Sequence, residues 1–183
     1  MRKLNAVVTA LIMVCLLFHI VFGSYQLMGI FPGGKILMKC VAWIMTFLIL
    51  IHTVIGCAMT VRTLRIQKKT GASYFKENKM FWARRISGFA IILFLILHIV
   101  IFLGKNTDGS YRLNYFGSIQ LLSQICLVLT IALHVISNVK PMLITFGIKS
   151  FKDFAADIII VLSFVFVLAF IAFLIYFVKW QSV

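Results

Sequence analysis

Apolar positions in this chain come in long blocks, separated by short polar segments. Five blocks are long enough to cross about 30 Å of hydrocarbon as α-helices. They predict helices over roughly 4–22, 36–61, 81–103, 117–139 and 154–178. No β-barrel alternation, Pro/Ser-rich linker or low-complexity tract interrupts the series. Pro32 and Gly33-Gly34 mark the first loop, and Pro141 is expected to end the fourth helix. The pattern predicts an all-α membrane protein: a single transmembrane domain over 1–183, with five transmembrane helices.

Composition agrees with the blocks. Hydrophobic residues make up 63% of the 183, where a soluble domain has about half. The formal charge of +14 would suit nucleic acid, but the basic residues sit between the apolar blocks, as membrane topology requires, and not on one face. No nucleic-acid partner is expected; the lipid bilayer is. Arg2 and Lys3 precede the first helix. Arg62, Arg65, Lys68, Lys69, Lys76, Lys79, Arg84 and Arg85 lie between the second and third, and Lys140, Lys149 and Lys152 between the fourth and fifth. Lys35, Lys39, Lys105, Arg112 and Lys179 fall on the other side. The positive-inside rule then puts the N-terminus in the cytoplasm and the C-terminus outside. Tyr25, Tyr74, Trp82, Tyr111, Tyr115, Tyr176 and Trp180 stand near the predicted interfaces, as an aromatic belt does. The opening MRKLNAVVTALIMVCLLF has the look of a signal peptide, but Val14 stands where a lipoprotein site needs a small residue before Cys15. A retained first helix is the expectation. Cys15, Cys40, Cys57 and Cys126 are scattered, form no CxxC and read as small buried thiols.

The chain has four histidines, His19, His52, His98 and His134, one on each of the first four predicted helices. An ionisable side chain within a bilayer is costly and as a rule faces the protein interior with a role to fill. A single such residue is as readily a satisfied core histidine; four, one per helix, are not. Each lies roughly 22–26 Å along its helix, and successive helices run in opposite directions. His19 and His98 therefore share a level near the outer side, His52 and His134 one near the cytoplasmic side, roughly 10–15 Å apart. Two imidazoles at one depth on separate helices are what a haem b requires, one on each face of the iron. Both axial positions are then filled, which suits electron transfer and not oxygen binding. The other ring nitrogen of each ligand needs a fixed partner, a carbonyl one turn earlier or a hydroxyl such as Thr130. Gly56, one turn after His52, leaves room for a flat macrocycle or simply for helix packing.

Zinc would need three or four ligands at one place, and each level offers two histidines. A proton relay would need acids, and the chain has only Glu77, Asp108, Asp153 and Asp157. Asp157 falls in the first turn of the fifth predicted helix, where the helix dipole alone accounts for it.

The stretch ARRISGFAIILFLILHIV, with Arg85, Ser87 and Gly88 ahead of His98, resembles the Arg-x-Ser/Thr-Gly…His signature of the cytochrome b membrane anchors of succinate dehydrogenases and fumarate reductases. HVISNVKPMLITFGIK, from His134, more loosely resembles the fourth-helix exit of that family. In architecture the resemblance covers nearly the whole chain and points to the di-haem branch; in sequence it is local. It implies a multi-pass subunit of the bacterial inner (cytoplasmic) membrane, its first four helices forming a haem-binding four-helix bundle. His19 and His98 would ligate the distal haem, and His52 and His134 the proximal one. A flavoprotein subunit and an iron–sulfur subunit would dock on the cytoplasmic side, and electrons would pass to or from a membrane quinone, menaquinone in this branch. The dicarboxylate would be handled by the flavoprotein, so no substrate-binding catalytic residue is expected here. This chain lacks the helix-borne glutamate that some di-haem members use for proton transfer.

Arg85 lies roughly 20 Å inward of His98. A guanidinium there is placed to pair bidentately with a haem propionate, with Ser87 as a second donor, although Arg85 also fits a plain topology determinant. The basic loop offers complementary charge to an iron–sulfur subunit. Tyr25 and Gln26, near His19, are candidates to face the quinone. The rival readings are a di-haem b anchor of a hydrogenase or formate dehydrogenase, against which the Arg85–Gly88 signature speaks, and a histidine-lined transporter, which lacks its usual internal repeats.

Overall fold

The computed structural model describes residues 1–33, 35–71, 79–103, 106–107, 110–111, 116–148 and 151–181. Gly34, Tyr74, Lys76, Glu77, Lys105, Asp108, Arg112, Tyr115 and Lys149 lie outside the described residues, as do the side chains of Tyr111, Lys152, Asp153 and Trp180. The described elements are α1 (Arg2–Leu27), α2 (Ile36–Thr70), α3 (Lys79–Phe102), a two-residue antiparallel pair β1 (Asn106–Thr107) and β2 (Ser110–Tyr111), α4 (Ser118–Thr145) and α5 (Phe151–Gln181). All five helices are long and apolar enough to cross a membrane.

Four of the five helices outrun their apolar blocks, because hydropathy marks the lipid slab and not the end of backbone hydrogen bonding. The 35 residues of α2 span about 52 Å. Its basic last third consists largely of Arg, Lys, Leu and Gln, good helix formers that need no lipid. It closes at Gly71, whose φ of 67° supplies the left-handed turn and whose N–H reaches Gln67 O. Pro141 does not end α4 but lies inside it; the helix continues to Thr145 and turns out through Gly147 at φ 78°. Proline removes one N–H, the one the Ser137 carbonyl would receive, and membrane helices tolerate that loss. Asp157 stands in the second turn of α5, exposed and past the reach of the N-terminal dipole.

The surface of the helices is strongly apolar. Leu4, Val7, Leu11, Val14 and Phe18 form an exposed stripe at helical spacing on α1, and Phe164 on α5 is 74% exposed. Such a surface would drive aggregation in water and suits hydrocarbon. The buried polar residues are Ser24, Ser87 and Gln124, the last with no exposed area.

Packing is organised by α5. Hairpin α1–α2 and the α3–α4 pair each pack internally, and α5 lies against both α1 and α4. Leu162 and Phe166 meet Val139 and Leu143 of α4, with Met13, Leu17 and Ile20 of α1 against them. Ala172, Phe173 and Tyr176 close on Leu27 and Phe116. Among the described residues α2 packs its backbone extensively only on α1, and direct contact between α1 and α4 is slight. A gap therefore runs between the two helix pairs, walled on one side by α5. All four histidines lie along it.

Candidate functional site

The gap is bridged at two levels by imidazoles. His19 of α1 faces His98 of α3 with ring centroids 6.0 Å apart and planes at 76°. His52 of α2 faces His134 of α4 at 6.2 Å and 89°. These are the pairs that depth along the helices predicts. Thr9 contacts His52, so Thr9 and His19 on α1 mark the two levels, about 15 Å apart by the rise of ten residues. Among the described residues no three His, Cys, Asp or Glu side chains gather at one point.

Three of the four rings have a partner, and in each the partner is at Nδ1. His98 Nδ1–H donates to Gln124 Oε1 at 2.7 Å, and Gln124 Nε2 in turn donates to Ser123 Oγ at 3.0 Å. Thr9 Oγ1 lies 3.3 Å from His52 Nδ1, and Ser87 Oγ lies 3.1 Å from His134 Nδ1. Those hydroxyls have already donated their hydrogens within their own helices, Thr9 to Asn5 O at 2.8 Å and Ser87 to Arg84 O at 3.3 Å. Only lone pairs remain, so the imidazole must be the donor. His52, His98 and His134 are thereby held as Nδ1–H tautomers, with the Nε2 lone pair left for a Lewis acid. The exception is His19, whose Nδ1 is buried without a partner.

One register rule accounts for all four. The antiparallel pairing that sets Thr9 beside His52 places Ala42 of α2 level with His19. Where the other helices offer a hydroxyl or an amide, α2 offers a methyl group. Thr130, an alternative partner in the sequence, gives its hydroxyl to Cys126 O and Leu127 O of its own helix. Thr9 and Gln124 escape inspection of motifs, yet each stands ten residues ahead of a histidine, one level away on the same helix.

The surroundings differ between levels. Around His19 and His98 lies a cavity of about 480 Å³, reached by Leu95, Ile99, Phe102, Phe166 and Phe173 and rimmed by Gln26, Lys35 and Lys39. Its size is within the range of small-molecule and cofactor sites. Tyr25 instead packs its ring on Phe31, 5.3 Å away. At the other level stand the arginines. The Arg85 guanidinium lies 5.0 Å above the Phe81 ring, and its Nε is buried without a partner. A Cβ on Gly56 would sit 3.8 Å from Arg85 Nη1, so that glycine borders the guanidinium. A Cβ on Gly88 would approach His134 Cε1 to 3.3 Å, so the bare backbone there lets the ring lie close against α3.

The spacing fits one metal between two rings. Metal–nitrogen bonds of about 2 Å and a ring radius of about 1.1 Å set the centroids of two opposed imidazoles about 6 Å apart. Rotation about the metal–nitrogen axis is free, so near-perpendicular planes are compatible. A half-buried guanidinium with an orphaned Nε beside one pair suits an anionic group on the same ligand. No known protein family, curated protein or solved structure matches this chain.

Proposed function

We propose that this chain is the membrane anchor and electron-transfer subunit of a quinone-linked oxidoreductase and holds two bis-histidine haems b. His19 and His98 would ligate one, His52 and His134 the other. The observation behind the reading is the pair of cross-gap imidazole spacings, 6.0 and 6.2 Å, on four different helices. Haem so ligated supplies one-electron transfer and offers oxygen no open position. The chain's own part is to hold and orient. Gln124, Thr9 and Ser87 fix the tautomers of three ligands. Arg85 would neutralise a propionate, and Ser87, engaged with His134, serves the ligand and not the propionate. Largely apolar walls line the His19–His98 level.

The two levels, about 15 Å apart along the helices, would form a route across the membrane within the first four helices, clasped by α5. The Arg85–Gly88 signature favours the succinate dehydrogenase/fumarate reductase type. On that reading the N-terminus is cytoplasmic, the basic loop after α2 meets the iron–sulfur subunit beside a flavoprotein subunit, and membrane quinone, menaquinone in this branch, exchanges electrons with the chain. The setting would be a bacterial cytoplasmic membrane. A reduced-minus-oxidised spectrum of the purified full chain should show b-type absorbance, with two haems per chain by pyridine haemochrome. A colourless preparation overturns the proposal. Soluble subunits that co-purify would identify the enzyme type.

A further inference from the structure

The cavity around His19 and His98 runs outward along one face of α2. Lys35, Met38, Lys39, Ala42, Met45 and Thr46 line it, at the spacing of a single helical stripe. Ala42 is level with His19 by the pairing that sets Thr9 beside His52. Lys39 therefore stands about 4.5 Å, and Lys35 about 10 Å, outward of that level along the axis. Among the described residues no other lysine or arginine, and no acid, lines the cavity.

These two cations stand where the backbone favours an anion. Lys35 is the N-cap of α2, without a side-chain hydrogen bond, and Lys39 follows in a first turn that holds no acid. The free N–H groups of a helix start attract negative charge and disfavour a cation. Both lysines are exposed, and among the described residues no hydrogen bond or ion pair engages either ammonium. Asp157, the one acid with a described side chain, lies at the opposite end of the bundle, because it is Tyr176, near the far end of α5, that packs beside Leu27. Gln26, also at the rim, gives its amide N–H to Pro32 O at 3.3 Å. At the inner end of the same cavity His19 Nδ1 is buried without a partner. The cavity thus runs from a pair of imidazoles, through largely apolar walls, to two cations at its mouth. A flat apolar body with two carboxylates on one edge matches that order, and haem b is such a molecule.

We propose that Lys35 and Lys39 bind the two propionate carboxylates of the haem at the His19–His98 level. This rests on the haem reading above and adds to it the counter-ions of the outer site. The test uses the full chain carrying His52→Ala, produced without haem, so that the outer pair alone can take the ligand. Haemin is titrated in detergent and the Soret band is followed. Lys35→Gln combined with Lys39→Gln should weaken haemin binding roughly 5- to 20-fold, the scale of two exposed charge pairs, and raised salt should narrow the difference. Lys35→Arg combined with Lys39→Arg should bind haemin as the parent does. Haemin dimethyl ester, whose carboxylates are blocked, should bind all three chains alike. Equal haemin affinity in the neutralised and parent chains overturns the assignment and leaves the haem reading standing. An equal loss for haemin and for its ester also overturns it, by showing damage to the cavity and not recognition of charge. A Soret band absent from every chain overturns the haem reading itself, and this assignment with it.

Discussion

At the level of His52 and His134 both rings lean on hydroxyls, arginines stand close by, and a glycine lets one ring lie against the neighbouring helix. At the level of His19 and His98 one ring is held by a fully buried amide, the other has no partner, and an apolar cavity surrounds both. The ring spacing is nonetheless the same within 0.2 Å. Helix position sets the spacing, and the neighbouring side chains set the electronic character of each ring. On the proposed reading, the two haems would share ligands and differ in potential. An anionic acceptor strengthens the donor power of an imidazole more than a neutral one, and no acceptor at all leaves it weakest. On that reading His19 would be the weakest of the four ligands.

The strongest challenge is to remove one level. His52→Ala and His98→Ala should each reduce haem from two per chain to one by pyridine haemochrome, and the pair together should abolish it. Loss of both haems from one substitution would show that the levels are not independent. Next is Gln124→Leu, which strands a buried N–H and should weaken haem retention at the His98 level by roughly 10- to 100-fold. Ser87→Ala and Thr9→Val remove longer contacts, 3.1 and 3.3 Å, and should cost several-fold less in the same haem titration. Equal losses would mean that the hydroxyls are as important as the amide. Gly88→Ala should crowd His134 and cost about 1–3 kcal/mol, read as a lower thermal midpoint with loss confined to the His52–His134 haem. Gly56→Ala, whose Cβ would meet Arg85 Nη1 at an ordinary contact distance of 3.8 Å, should change little. One substitution should be a gain: Ala42→Ser offers His19 the missing acceptor, worth about 1 kcal/mol, and should lower the midpoint potential of the haem at that level alone.

The sequence made the histidine pairs legible because rise per residue is constant and consecutive helices alternate in direction. Depth then follows from counting, and His19 meets His98 without any knowledge of side packing. Helix limits were less legible. The apolar blocks of α1, α2 and α4 stop where hydrocarbon would stop, but Gln67, Lys68 and Lys69 continue α2 through propensity, and Pro141 sits within α4 because neighbouring helices stabilise the continuation. The partners of the rings are readable after the fact. Thr9, Ser87 and Gln124 precede His19, His98 and His134 by ten or eleven positions, and antiparallel pairing carries each to the opposite histidine. Thr130 was the more obvious hydroxyl, but a threonine in mid-helix readily bonds its own backbone. The gap was not legible, since it depends on how α5 holds two helix pairs without letting α2 close on α3, a matter of three-dimensional packing that no periodicity encodes.

That clasp has a consequence for biogenesis. The four histidine-bearing helices leave the ribosome before α5, and α2 is the helix least tied to the rest. On the proposed reading, a rigid planar haem would have a sideways way in from the lipid between α2 and α3 while the two pairs are still loosely joined, and the arrival of α5 would then lock the pairs around it. Order of synthesis would then give the membrane an interval in which to load the protein.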